Sequence, residues 1–192
     1  MAAIDKSIYE KFIIESADKS KTVDISSGVI AFTYFENIFS PYLTARCIVT
    51  NTGSTIESDG KLQSLYNGLP IRGGERVSIR IAGNSENNAG LKFDTPETYL
   101  YVSKVSNVIR DGQKEIFVLN LVSREAIANE LTHVTRKFSR DIPVSDNVED
   151  ILKNDLKVKS NRFKKNIDRT SNKLGFIGNL KKPFKILVWL AS

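Results

Sequence analysis

Two β-prone runs, residues 99–110 and 113–122, are joined by Asp111-Gly112, and this junction constrains the fold more than any other feature of the sequence. An Asp-Gly pair favours a type I′ turn, whose positive φ angles match the twist of two antiparallel strands. The spacing therefore predicts a long β-hairpin. On its second strand Ile116, Val118, Asn120 and Val122 oppose Phe117, Leu119 and Leu121, because successive side chains alternate between faces. Both faces are largely apolar, so this strand is expected to be covered on both sides, by a helix or by another subunit.

The rest of the first 123 residues also reads as β. Residues 9–14 form a short β-prone run, and residues 29–39 are rich in Phe, Tyr, Ile and Val. Leu43, Ala45, Cys47 and Val49 alternate with Thr44, Arg46, Ile48 and Thr50, the period of a half-buried strand. Ser40-Pro41 marks a bend before that strand, since proline fixes φ and removes a donor. Gly73-Gly74 supplies a turn into a strand in which Val77, Ile79 and Ile81 alternate with Arg76, Ser78 and Arg80. Residues 83–90 (GNSENNAG) form an expected exposed loop.

Helical character begins at Ser123, a candidate N-cap followed by Glu125, Ala126, Ile127, Glu130 and Leu131. A second helix is expected from Ser145, with Asp146, Glu149 and Asp150 near its positive end. Val148, Ile151, Leu152 and Leu156 give it an apolar stripe. A third starts at Pro183 and shows Ile186, Leu187, Leu190 and Ala191 on one face. These elements predict an α+β, mainly β chain: an antiparallel β-barrel or sandwich with a covering helix over residues 1–132, and a helical or mixed segment over residues 133–192. The third helix is short, so the second segment is expected to be the incomplete start of a further domain.

The chain carries 28 Lys/Arg against 22 Asp/Glu, a net of +6. Residues 133–192 hold 14 basic and 6 acidic side chains, a net of +8, which leaves −2 for residues 1–132. The basic excess is concentrated at Lys157, Lys159, Arg162, Lys164 and Lys165 around Phe163, with Arg169 and Lys173 beyond. Basic side chains around an aromatic suit single-stranded nucleic acid, and an OB-type barrel carrying residues 157–173 is the alternative reading. A basic connector docking on an acidic subunit accounts for the same residues.

No catalytic, metal or cofactor site is expected. There is no Cys-x-x-Cys, no histidine pair and no His-Glu-x-x-His. Gly73-Gly74 lacks the Gly-Lys-Ser/Thr of a phosphate loop, and Gly175-Phe176-Ile177-Gly178 is only a partial match to the Gly-x-x-Gly clamp of KH domains. The single cysteine, Cys47, excludes an internal disulfide and fits assembly in a reducing cytoplasm, where it is expected to be a small buried hydrophobe. No apolar run approaches the ~20 residues of a membrane-spanning helix, so no membrane partner is expected.

Four stretches, in order, resemble the baseplate hub, or tail-tube-cap, proteins of contractile-tailed bacteriophages. They are YFENIFSPYLTARCIVT (34–50), GLPIRGGERVSIRI (68–81), FVLNLVSREAIANE (117–130) and KLGFIGNLKKPFKILVWLA (173–191). The resemblance implies a tube-type antiparallel β-barrel packed on a helix, followed by a second domain. It implies a homotrimer built into a pseudo-sixfold ring, with tail tube, central spike and baseplate wedge proteins as partners. It places the protein in the virion tail baseplate, a structural scaffold without catalysis, with nucleic acid only passing through the lumen. The interface candidates are Phe35, Ile38, Phe39 and Tyr42 near the Ser-Pro bend, Phe117, Leu119 and Leu121 on the two-sided strand, and Lys157, Lys159, Arg162, Lys164 and Lys165. A monomeric β-sandwich with one covering helix fits the periodicity equally well.

Overall fold

The computed structural model describes residues 8–53, 56–58, 60–84, 87–112 and 114–192. The chain divides into two compact units, Met1–Arg124 and Glu125–Ser192, where the sequence reading set the boundary after residue 132. The first unit contains β1 (Ile8–Glu15), β2 (Thr22–Asp24), β3 (Val29–Phe35), β4 (Thr44–Thr52), β5 (Ile56–Ser58), β6 (Lys61–Gln63), α1 (Leu65–Gly68), β7 (Arg76–Ala82), β8 (Leu91–Phe93), β9 (Leu100–Asp111) and β10 (Lys114–Ser123). Then come α2 (Arg124–Leu131), β11 (Lys137–Phe138), α3 (Val144–Asn154), α4 (Ser160–Phe163), β12 (Phe176–Ile177) and α5 (Pro183–Ala191). The fold is α+β and mainly β, as the alternating runs require.

One antiparallel sheet dominates the first unit, in the order β2-β1-β7-β9-β10-β4-β3, with β8 also paired to β7. The sheet rolls over its own core. Phe12 of β1 and Phe32 of β3, from opposite ends of the strand order, meet edge to face at 5.6 Å. Tyr34 of β3 likewise reaches Phe93 of β8 at 5.4 Å. Among the described residues no ladder joins β3 to β1 or β2, so the roll stays open along that seam. Its interior is filled by Phe12, Ile14, Cys47, Val49, Ile79, Leu100, Val102 and their neighbours.

The predicted hairpin forms, with its turn one residue later than the Asp-Gly pair suggested. Asp111 pairs with Lys114, so Asp111 is the last strand residue and Gly112, with φ +57°, begins the turn. Gln113, the expected start of the second strand, lies outside the described residues, as do Ser85 and Glu86 of the 83–90 loop. Register shifts fall in β9 opposite Ile116–Val118 and Asn120–Leu121, and Asn107 takes a positive φ of 53° beside the first. Such bulges bend a strand and raise its twist.

The short helix packed into the roll is one that periodicity does not reveal. Leu65 and Leu69, at the ends of α1, are buried in the sheet core with Ile71. The helix expected from Ser123 onward is α2, which from Glu125 belongs to the second unit. Two buried carboxylates hold the first unit's irregular segments. Glu115 accepts hydrogen bonds from the Ser64 hydroxyl at 2.7 Å and the Tyr66 amide at 3.3 Å, and pairs with Arg110 at 3.1 Å. Glu75 accepts from the Arg72 and Gly73 amides at 2.7 and 2.9 Å. Burial of each is tolerated because its lone pairs are satisfied.

In the second unit a core of Val134, Phe138, Ile151 and Ile186 is packed by Phe176, Leu187 and Leu190. The helix expected from Ser145 begins earlier, with Pro143 at the N-cap position. Ser145 lies inside it and exchanges hydrogen bonds with Thr170, amide to hydroxyl in both directions. Arg136 bridges Asp150 and Asp155. These bonds, Asp155 first, hold its guanidinium pKa above the ordinary range.

β12 continues into a tight turn in which Asn179 and Leu180 have φ of 49° and 58°, and the Lys181 amide donates to the Gly178 carbonyl at 3.0 Å. Two successive left-handed residues are the type I′ arrangement. Asparagine tolerates that region, but a leucine there is strained by about 1–2 kcal/mol. Leu180 is exposed, so its side chain recovers little by burial. Leu180→Gly is therefore expected to stabilise the second unit by about 0.5–1 kcal/mol, after the glycine's extra unfolded-state entropy; a thermal melt checks this.

Candidate interaction surfaces

Among the described residues no three His, Cys, Asp or Glu side chains gather where they would hold a metal ion. Cys47 is buried in the sheet core, and burial pushes its thiol up to about 12. A neutral, enclosed thiol is a poor nucleophile. Cys47 is expected to react with a disulfide reagent at pH 8 only when the sheet opens, giving a slow rate that rises steeply with added urea. Fast stoichiometric labelling of the native protein would contradict this placement.

The Ser-Pro bend forms the most prominent apolar projection. β3 ends at Phe35, and the loop to β4 presents Ile38 at 93% and Phe39 at 91% exposure. Phe35 and Tyr42 are also exposed. The loop has internal order: the Phe39 amide donates to the Asn37 side chain at 2.9 Å, and the Ser40 hydroxyl to the Tyr42 carbonyl at 2.9 Å. At its base the Tyr34 hydroxyl donates to Glu36 at 2.7 Å, and burial together with that carboxylate pushes the phenol up to about 12. Of the four residues named at this bend, Ile38, Phe39 and Tyr42 lie on the loop and Phe35 at the strand end that leads into it.

Phe117, Leu119 and Leu121 have another setting. All three point into the core and are essentially inaccessible, Phe117 at 0%. Their side chains are used within the chain and leave nothing for a neighbour to touch. The opposite face of β10 is partly covered, with Val118 buried and Ile116, Asn120 and Val122 half-buried.

An available surface that the sequence reading passed over lies along β9. Its pairing with β7 covers only Leu100 and Tyr101, extended by the Val102 backbone bonds to Gly74 and Glu75. From Lys104 to Asp111 its outer edge has no ladder partner among the described residues, and Val108 and Ile109 are exposed there. The signal was present: Val108 and Ile109 are adjacent apolar residues, and adjacent residues of a strand cannot both face one core. Among the described residues the outer edge of β3 also has no ladder partner, and Ile30 is exposed there.

The basic candidates are all on the surface of the second unit. Lys157, Lys159, Arg162, Lys164 and Lys165 are exposed around α4, while Phe163 is buried. The run thus presents charge without the aromatic face that stacking on a base requires. Arg162 pairs with Glu125 at 2.8 Å. The Gly175–Gly178 stretch does not form a helix-flanked clamp: Phe176–Ile177 is a strand, and a side chain at Gly178 would meet the Val134 carbonyl at 2.4 Å.

No family model matches this chain, and no curated protein matches its sequence. Solved structures do match in fold. The 43 kDa tail protein of prophage MuSo2 from Shewanella oneidensis aligns with 97% of this chain at a TM-score of 0.58 and 12% identity. A component of the Escherichia coli type VI secretion system, described as similar in structure to T4 bacteriophage tail proteins gp27 and gp5, aligns over the whole chain at a TM-score of 0.46 and 8% identity, too low a likeness to argue from. The chain spans about half the length of the tail protein it matches, 48%. At 12% identity this likeness is one of fold: nearly the whole of this chain has the fold of part of a prophage tail protein.

Proposed function

We propose that this chain is a structural subunit of a bacteriophage tail, acting in the baseplate hub as a non-catalytic scaffold. The observation that carries the reading is the pair of unpaired sheet edges, on β3 and on β9, in a chain with the fold of a tail protein. Open edges with exposed apolar side chains are templates for another chain. Two different edges on one subunit make a head-to-tail contact, and such contacts close into rings when the rotation allows. In this reading the first unit is the tube-like domain and the second begins a further domain. The complete protein is a homotrimer that joins the tail tube to the central spike, contacts the wedge proteins and sits in the virion baseplate around the path of the genome. The loop carrying Phe35, Ile38, Phe39 and Tyr42 serves as a protein contact, and the basic residues around α4 face an acidic neighbour.

The test is the mass of the complete natural protein with its tail partners at micromolar concentration. Trimers are expected. Replacing Ile38 and Phe39 by serine should leave the fold of this chain unchanged and weaken assembly at least tenfold, about 1.4 kcal/mol or more. Monomers only, in the unaltered protein, would sink the reading. Tight binding of single-stranded oligonucleotides that weakens steeply with salt would favour the nucleic-acid alternative instead.

A further inference from the structure

The second unit contains a feature that the tail reading does not use. Phe176, Ile177, Lys181, Lys185, Ile186 and Trp189 line a groove of about 310 Å³ between β12 and α5. Its floor is apolar and built of contacting rings. Phe138 and Phe176 stack at 4.3 Å, Trp189 meets Phe176 edge to face at 5.4 Å, and Ile186 is buried beneath. Its rim is cationic. Lys181 and Lys185 are exposed, neither is in an ion pair among the described residues, and the Lys181 ammonium lies 6.0 Å from the Trp189 ring centre. Trp189 itself is 50% exposed, and Leu180 and Val188 add apolar surface alongside.

An apolar aromatic floor is the kind of pocket that takes one buried anchor side chain, where most of the energy of an interface concentrates. Two unpaired ammonium groups at its lip select carboxylates beside that anchor and steer their approach. The net +8 of residues 133–192 extends the attraction beyond the groove. We propose that this groove docks an acidic segment of a partner protein, seating an aromatic or branched anchor against Phe176, Ile186 and Trp189 with flanking carboxylates on Lys181 and Lys185. The strained Leu180 turn sets the position of Lys181 at the rim. This inference stands on the groove alone and does not require the ring assembly.

Trp189 is the only tryptophan of the chain, so its fluorescence reports the groove directly. The probe is the acetylated peptide Glu-Asp-Glu-Leu-Phe-Asp-Glu-Asp, titrated into the full chain. A blue shift and protection from acrylamide quenching are expected, with Kd on the order of 10–100 µM at low salt and at least about tenfold weaker binding at physiological salt. The same peptide with lysine at every acidic position, or with alanine for Leu and Phe, should bind at least tenfold more weakly. The variant K181E/K185E changes two exposed side chains, should keep its circular dichroism, and should lose the response. Three outcomes overturn the proposal: no Trp189 response up to ~1 mM peptide, a response unaffected by K181E/K185E, or preference for a thymidine oligonucleotide over the peptide. A concentration-dependent blue shift without peptide, abolished by K181E/K185E, would assign the groove to a second copy of this chain and overturn it too.

Discussion

Phe117→Ala is expected to lower the stability of the first unit by about 3–5 kcal/mol, the range for removing a fully buried aromatic. Urea denaturation followed by circular dichroism would show an earlier midpoint with little change in slope. The size follows from what the ring touches. Phe117 has no accessible surface, and it packs against Tyr66 at 5.9 Å. Tyr66 is held in turn by the hydrogen bond its backbone amide donates to the Glu115 carboxylate and by Arg110 over its ring at 5.5 Å. Emptying the Phe117 site therefore loosens the α1 segment as well as the sheet. Serine at Ile38 and Phe39 should change the stability of the isolated chain by no more than about 0.5 kcal/mol, as usual for exposed sites. A small effect at Phe117 would mean that its face of β10 is not enclosed by the chain's own core.

Arg136→Met is expected to cost the second unit about 3 kcal/mol, the low end of the cost of removing one partner from a buried ion pair. Asp155 is the reason. Its side chain is only 8% exposed and takes two bonds from Arg136, at 2.9 and 2.7 Å, so it would be left charged and enclosed. Solvent access at Arg136, 36% exposed, keeps the figure at the low end. Asp150, on the other side of the guanidinium, is 37% exposed, and Asp150→Asn should cost less than about 1 kcal/mol. Thermal melts of both variants would separate the contributions of the two acids.

Several parts of this protein could be read from local order. The alternation of Leu43, Ala45, Cys47 and Val49 against Thr44, Arg46 and Ile48 puts one set inward, and three of those four are buried. Pro183 opens α5, as its fixed φ and missing donor allow. The Ser-Pro pair marked the bend before β4, although the β-prone run 29–39 stops as a strand at Phe35 and leaves Ile38 and Phe39 exposed. Charge also carried meaning, since the basic side chains of residues 157–165 all reach the surface.

Other parts were not legible because they depend on partners distant in sequence. The apolar faces of β10 looked alike from within the strand. Only the roll of the sheet decided that Phe117, Leu119 and Leu121 face the core while Ile116 and Val122 stay half-buried. Leu65 and Leu69 flank a helix too short to show a period, and a carboxylate 46 positions beyond Leu69, at Glu115, holds that segment through Ser64 and Tyr66. Phe163 looked like an aromatic offered within a basic run, yet the packing of the second unit buries it.

The long hairpin, the three longer helices, the inward sets of the alternating strands and the uneven charge were determined by the sequence itself, because side-chain period and charge are properties of neighbouring residues. The tertiary structure decided which strand edges stay open, which aromatic residues are enclosed, and that Phe176, Ile186 and Trp189 meet two unpaired lysines. Those outcomes depend on long-range pairing and packing, which no local pattern encodes.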